Sequence, residues 1–437
     1  MLSWAQIRKI GCRRGNSIRI GFAQRAFCSS LAQIEAKPLP LAGVRVLELA
    51  SVLAGPSVCQ FLAELGADVM KVENIKTFGD VTRGWRLPGE QLTSSAISAY
   101  FSSCNLGKRS IALDAGAAQG RDIIKRLANK SDIVVASYKP GDAEKFGFDA
   151  KSLRSEKPSL IYAQITGYGL ESPRVGYDAL IQAESGFTYM NGEAGPDRQP
   201  TKMPVALVDV LASHQLKEAI LLAMLQRQRT GEGAHVHVSL MGAAVSSLVN
   251  QATGFLRAGK IPQRMGSEHP SICPYGNAFE DKHGQLLVLA VGADSQFRNL
   301  CAVLGRPELG TDTRYAKNVS RVAHRGELLS LLTDLIRQRS RAELLEQLEQ
   351  KKVPAGAIAD MQSVFETPQA EALVVRDRSG TEALGLRQVA WRGDGVAAHS
   401  PAAPPGYGQH TAEILTELGL GQSEIKQLMD AGVAGGA

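Results

Sequence analysis

The sequence has no run of about eighteen apolar residues, so no transmembrane helix is expected. Cysteine is scarce, six in 437 residues, and no C-x-x-C pair occurs. Cys12 and Cys28 stand in the N-terminal stretch, while Cys59, Cys104, Cys273 and Cys301 are scattered. That usage suits reduced thiols and argues against a disulfide framework or a cysteine zinc site. His235 and His237 share one face of an expected strand, but no third ligand is near; a polar strand face is read there and no metal is expected. No G-x-G-x-x-G is present, which argues against a nicotinamide or flavin site of the usual kind. Acids are absent before Glu35, whereas Arg8, Lys9, Arg13, Arg14, Arg19 and Arg25 precede it. Those six residues account for the formal net charge of +6; the rest of the chain balances, so no broad basic surface for nucleic acid is implied.

An acid-free start rich in Arg and Ser reads as a mitochondrial transit peptide, and the mitochondrial matrix is the expected location. Ile7, Ile10, Ile18 and Phe22 allow a basic amphipathic helix, and Arg25-Ala26-Phe27 before Cys28-Ser29-Ser30 is similar to a matrix-protease site. A structureless basic tail is the alternative.

What is present is organised around Val44–Arg83. Val44–Leu49 is a short apolar run of strand formers. Pro56 suits the first position of a helix and Gly66 the left-handed residue just past its end. Val58, Phe61, Leu62 and Leu65 give that helix one apolar stripe. Ala67–Glu73 is a second strand. Strand, turn, helix and strand make a βαβ unit with two parallel strands, and its first turn lies at the carboxyl edge of the sheet, where open α/β folds bind ligands. Glu73 stands where a ribose-binding acid would.

Strand–helix alternation continues through Lys108–Asp114, Gly120–Ala128, Asp132–Ser137 and Leu160–Ile165, which argues a parallel, helix-covered sheet. Ala96–Asn105 reads as a helix. A long helix spans Val210–Arg227, and Ala234–Leu240 alternates as a strand. From about Gln263 the pattern changes to a polar, proline-bearing loop, Met265–Tyr275. A strand at Gln285–Val291 and helices at Ser295–Leu304, Arg325–Arg337 and Arg341–Leu348 follow, consistent with a smaller α+β domain. Thr411 is the expected N-cap of a helix over Ala412–Leu418, and the Ala431–Ala437 tail is expected to be structureless. The division is 1–37 leader and linker, 38–240 first part of a large domain, 241–352 linker and small domain, 353–437 return linker and the rest of the large domain.

The run LASVLAGPSVCQFLAELGADVMKVE (Leu49–Glu73) followed by GDVTRGW (Gly79–Trp85) closely resembles the opening of the family III CoA-transferases, which include α-methylacyl-CoA racemases. Lys108–Asp114 is similar to the family's NKRSIxLD signature, and Ser137-Tyr138-Lys139-Pro140-Gly141 stands where relatives read ENF-x-PG. The resemblance covers nearly all of the chain after residue 38. It implies an α/β fold with a Rossmann-like parallel-sheet large domain and a smaller α+β domain, assembled as an interlocked homodimer. The implied substrates are acyl-CoA thioesters and small carboxylic acids, with no permanently bound cofactor.

Asp209 marks where alternatives meet. An Asp before a helix reads as an N-cap, whereas the pattern Pro204-Val205-Ala206-Leu207-Val208-Asp209 matches the family's nucleophile position. Asp178 is the rival acid. Racemases of the family carry a histidine immediately before that aspartate; Tyr177 stands here, a poor substitute for an imidazole that must give and take protons. A racemase-like enzyme and a non-catalytic CoA-binding protein are the alternatives to a transferase. For CoA the resemblance implies Val52, Leu53 and Ala54, Leu113, Ser137 and Tyr138, Lys145, and Val175, Gly176, Tyr177 and Asp178. Lys145 replaces an arginine, Asn74 another, Leu53 a glutamine, and Met265–Tyr275 a glycine-rich loop. The last three of these departures speak against formyl or oxalate specificity. The run from Met265 through Asn318–Leu328 is similar to the mitochondrial succinyl-CoA:glutarate branch, which implies CoA transfer from succinyl-CoA to a dicarboxylic acid such as glutarate.

Overall fold

The computed structural model describes residues 38–90, 97–195, 197–394, 396 and 398–436; the basic stretch read as a leader lies outside them. The βαβ unit forms as β1 (Arg45–Leu49), α1 (Ala54–Glu64) and β2 (Asp68–Asn74). Helix α1 begins two residues before Pro56, still within the turn whose N–H groups need no helical partner, so the ring costs no hydrogen bond. Gly66 has φ +101°, and a Cβ there would stand 2.6 Å from Leu39 Cβ, so both conformation and space demand glycine.

The chain continues through β3 (Arg109–Leu113), α2 (Ala118–Lys130), β4 (Ile133–Ala136), β5 (Ile161–Thr166), α3 (Asp178–Glu184), α4 (Leu207–Thr230) and β6 (His235–Ser239). Of the predicted helix at Ala96–Asn105, Ala96 lies outside the described residues and the rest forms only one turn, Ala99–Ser102. With β12 (Ala434–Gly435) at one edge, strand order in the seven-stranded sheet is β12-β3-β2-β1-β4-β5-β6, parallel from β3 to β6. The order reverses between β1 and β4, and at such a switch point the loops leaving the two strands diverge and open a crevice.

Alternation along the strands sorts the core into two faces. Val46, Val69, Ile133, Val135, Ile161 and Ala163 face α1 and α4, against Val58, Leu62, Val208, Leu216 and Ile220. Leu47, Met70, Ile111, Val134 and Tyr162 face the other way, towards α2 and the C-terminal helices.

The stretch after β6, read as a linker, holds α5 (Leu240–Ser246) and α6 (Val249–Ala258). The smaller unit has an antiparallel sheet of β7 (Tyr275–Glu280), β8 (Leu286–Ala290) and β9 (Ala355–Ala357), covered by α7 (Asp294–Val303), α8 (Arg325–Ile336) and α9 (Arg341–Gln350). Phe279, Leu287, Phe297, Leu328 and Leu344 fill its core. Strand β9 lies just beyond the expected domain end at 352, because β8 needs a second hydrogen-bonding neighbour and the returning chain supplies it. Arg321, fully buried, donates to the carbonyls of Cys273 (2.7 Å) and Tyr315 (2.9 Å) and so pins the end of the Met265–Tyr275 loop to this core.

A hairpin of β10 (Val374–Arg376) and β11 (Ala383–Leu386) brings the chain back to the large sheet, where α10 (Thr411–Glu417), α11 (Gln422–Asp430) and β12 (Ala434–Gly435) complete it. Two expectations fail here. The tail is not structureless, since β12 pairs antiparallel with β3 and Val433 is buried. Thr411 is not the N-cap: His410 is, and Thr411 Oγ1 accepts from Ala112 N–H at 3.1 Å. His410 Nδ1 accepts from Ser110 N–H at 3.1 Å and Val433 O from Asp114 N–H at 2.8 Å. Together these groups satisfy the open edge of β3, which local sequence cannot reveal.

Candidate active site

The turn leaving β1 carries Val52 with φ +72°, a conformation that a β-branched residue avoids. Asp80 holds it there, its carboxylate accepting from Val52 N–H at 3.2 Å and from Thr82 N–H at 3.1 Å. Asp80 in turn pairs with Lys71 Nζ at 3.0 Å, Lys71 with Glu48 at 2.7 Å, and Glu48 with Lys108 Nζ at 2.7 Å. All four side chains are buried. Burial alone would raise the Glu48 carboxyl, but Lys108 and Lys71 outweigh it and hold it below the usual carboxylate range. Asp80 is likewise held low, against burial, mainly by Lys71.

Glu73, standing where a ribose-binding acid would, is committed elsewhere. Its carboxylate accepts from Arg83 Nη2 at 2.6 Å, Ser110 Oγ at 2.5 Å and Asp80 N–H at 3.0 Å.

Asp209 faces the same crevice from α4. It is the third residue of that helix, whose N-cap is Ala206, so the N-cap reading does not hold. No side chain among the described residues hydrogen-bonds or pairs with its carboxylate. Burial, with the Asp178 charge as a second cause, pushes its pKa up to about 7. The capping work belongs to Asp178, at the start of α3: one oxygen accepts from Val208 N–H at 2.8 Å, the other from Gln182 Nε2 at 2.7 Å. One carboxylate thus fixes the start of the helix that presents the other.

The loop after β5 and the segment before α3 cross at Gly167 and Gly176. A Cβ on Gly176 would lie 2.2 Å from Gly167 Cα, so any side chain would push the two strands of chain apart.

Asp209 lines a cavity of about 340 Å³ together with Val52, Leu53, Ala54, Ser137, Tyr138, Val175, Gly176, Tyr177 and Asp178. Burial pushes the Tyr138 phenol up to about 12, and its ring packs beside Phe146 and Phe148. Leu113 lines an adjoining cavity of about 490 Å³ that shares Ser51, Val81, Ser137 and Tyr138 with the first. Lys145 lines neither; its ammonium pairs with Asp142 at 2.8 Å in an exposed position. Residues that sequence reasoning did not single out also line the first cavity: Trp85, Thr166, Arg174 and Leu240. Trp85 lies in the quoted GDVTRGW run. The buried cluster had a signal too, a charge flanked by apolar residues within each of two strands, Glu48 between Leu47 and Leu49 and Lys71 between Met70 and Val72. His235 and His237 sit on β6 and bond Gln164 (3.0 Å) and Thr166 (2.8 Å), as a polar strand face would.

The family model for CoA-transferase family III matches residues 41–411. The chain belongs to that family. This transferase is 38% identical over 392 residues to a succinate–glutarate CoA-transferase of Agrobacterium fabrum, covering 87% of this chain and 96% of that one. It is 35% identical to the succinyl-CoA:glutarate CoA-transferase of Homo sapiens, covering 90% of each. Among solved structures, a CAIB/BAIF family protein from Brucella suis superposes with TM-score 0.76 at 39% identity, covering 87% of this chain and all of that one. As an acyl-CoA:carboxylate CoA-transferase, the enzyme needs room for a thioester beside a nucleophile, and the two adjoining cavities at the switch point offer that room.

Proposed function

We propose that this transferase moves CoA from succinyl-CoA to a dicarboxylic acid such as glutarate, with Asp209 as the covalent carrier. The observation that carries the reading is the Asp209 carboxylate, buried in the cavity and unpaired among the described residues. The substrates named for the Agrobacterium and human relatives support the donor and acceptor.

In this mechanism Asp209 attacks the thioester carbonyl; the C–S bond breaks, CoA thiolate leaves, and a mixed anhydride forms. The thiolate attacks the aspartyl carbonyl, succinate leaves, and an aspartyl-CoA thioester remains. The acceptor carboxylate attacks that thioester, releasing thiolate and forming a second anhydride. Attack of thiolate on the acceptor's acyl carbon then yields the new acyl-CoA and restores Asp209. Each step exchanges one leaving group for another, so no proton or electron need be supplied. N–H groups at the open start of α1 stabilise the anions that develop. Val52, Leu53, Ala54, Leu113, Ser137, Tyr138, Val175, Gly176 and Tyr177 are the proposed CoA contacts, and CoA enters as substrate rather than as a resident cofactor.

Hydroxylamine trapping after incubation with succinyl-CoA tests the carrier. A hydroxamate is expected on the peptide containing Asp209 and none in Asp209→Asn. A hydroxamate on Asp178 would move the nucleophile there.

Two further expectations belong to the same reading. The enzyme works as an interlocked homodimer, each chain threaded through its partner by the segments near 240–263 and 350–366. Support comes from apolar side chains that a lone chain leaves in water, among them Leu222 on α4 and Val249 and Leu256 on α6. Ready exchange of differently tagged subunits under native conditions would refute threading. The acid-free leader supports import into the mitochondrial matrix, and a native protein that retains Met1 would refute it.

A further inference from the structure

The four buried charges around the first turn take no part in the chemistry derived above. Glu48 and Lys71 lie on β1 and β2, Asp80 in the loop after β2, and Lys108 just before β3, so the cluster joins three adjacent strands. Two acids meet two bases, and the ammonium groups also reach backbone: Lys71 donates to Ala50 O at 2.9 Å and Lys108 to Pro56 O at 2.9 Å. Both carbonyls flank the turn. The cluster therefore grips the turn from either end and, through Asp80, at its centre.

That centre is the strained residue. Asp80 accepts from Val52 N–H, and the Cys104 thiol reaches Val52 O at 3.3 Å. Ser51 N–H is spent on Ser137 Oγ at 3.3 Å. With those two amides occupied, the next ones belong to Leu53, Ala54 and Gly55, at the open start of α1, where helical N–H groups have no partner within the helix. Leu53, Ala54 and Gly55 line the cavity that holds Asp209. Were Val52 to relax to negative φ, the chain entering α1 would leave along another direction and those amides would turn with it.

We infer that Asp80 is a positioning residue for the transfer, holding Val52 in its left-handed conformation so that the first amides of α1 point at the carbonyl undergoing attack. The inference deepens the reading of Asp209 as nucleophile and rests on it for the direction of attack. A residue at positive φ without glycine persists only where its surroundings over-determine it, and such residues concentrate at functional sites. Here the surroundings are a neutral, fully paired cluster whose rigidity comes from its burial.

The test measures kcat, KM for acyl-CoA and melting temperature for Asp80→Ala, Asp80→Asn, Val52→Gly and the Asp80→Ala/Val52→Gly pair. Asp80→Ala is expected to lower kcat at least about tenfold with KM within about threefold. Asp80→Asn, which keeps an acceptor for Val52 N–H, is expected to recover most of that loss. Val52→Gly is expected to lower kcat without lowering the melting temperature, because glycine adopts φ +72° freely while no longer fixing it. The double variant should lose no more than Asp80→Ala alone, since both changes release the same turn. A lower melting temperature with unchanged kcat in Asp80→Ala would reduce the cluster to a structural role and overturn the inference. Unchanged kcat in Val52→Gly would overturn it as well, even if Asp80→Ala does not fold. These measurements use the transferase activity alone, so they stand whether or not trapping finds the adduct on Asp209.

Discussion

Two regions of this enzyme bury carboxylates within one crevice and treat them in opposite ways. At the turn after β1, Glu48 and Asp80 are buried with Lys71 and Lys108 beside them, and both are held below the usual carboxylate range although burial opposes it. At the start of α4, Asp209 is buried with no cation paired to it among the described residues, beside the like charge of Asp178, and its pKa is pushed up to about 7. Burial is common to both; the partner makes the difference. A paired carboxylate is spent on holding the chain, whereas an unpaired one is left poised to react, as catalytic groups tend to be.

The largest expected effect breaks the contrast on the reactive side. Asp209→Asn keeps the shape and removes the proposed attacking anion, so on that proposal kcat should fall by roughly a thousandfold or more. The same change should not destabilise the fold. Because the Asp209 pKa is raised above its unfolded value, its stabilising contribution is complete below about pH 4 and is lost as pH rises through about 7. Asparagine has no such loss, so the variant should be the more stable protein at pH 8, by at most about 4 kcal/mol. Urea unfolding at pH 5 and pH 8 would check this; a variant less stable at pH 8 would sink it.

On the paired side, Lys71→Met strands Glu48 and Asp80 without a shared cation. Breaking a buried pair in this way costs about 3–5 kcal/mol, measurable by denaturant titration. A loss under about 1 kcal/mol would mean that the cluster behaves like surface charge.

The pH profile sharpens the comparison. With the anion as nucleophile, kcat/KM for the acyl-CoA should rise with pH and level off above about 7. A profile flat from about pH 5 to 8 would count against a carboxylate perturbed in this way. Asp178→Asn removes the neighbouring charge while keeping an acceptor for Val208 N–H, so it should shift that midpoint downward and lower kcat less than Asp209→Asn. An unmoved midpoint would show that Asp178 does not act on Asp209 through charge.

The smallest effect is expected at Lys145, which pairs with Asp142 on the surface and lines neither cavity. Lys145→Ala should change KM for acyl-CoA by less than about threefold, in keeping with the low worth of exposed ion pairs. A larger rise would bring Lys145 to the CoA phosphates after all.

Much of this was legible along the chain. The βαβ unit showed in apolar spacing bounded by Pro56 and Gly66, because helix ends and strand runs are set by local chemistry. Asp209 was legible only through its motif. Spacing alone made it an N-cap, yet the N-cap is Ala206 and the carboxylate that accepts from the helix's first turn is Asp178, about thirty residues away in sequence. The tail from Ala431 read as structureless because Ala434 and Gly435 have little strand propensity of their own; they pair because β3 leaves an edge open.

By itself, then, the sequence determined the elements, their alternation and the charges set between apolar neighbours in β1 and β2, all of which follow from local periodicity and from the cost of burying polar groups. Tertiary structure alone decided which charges met. Strand order brought Glu48, Lys71, Asp80 and Lys108 into one neutral cluster and left Asp209 with no cation paired to it among the described residues, and pairing across strands has no signature in linear spacing.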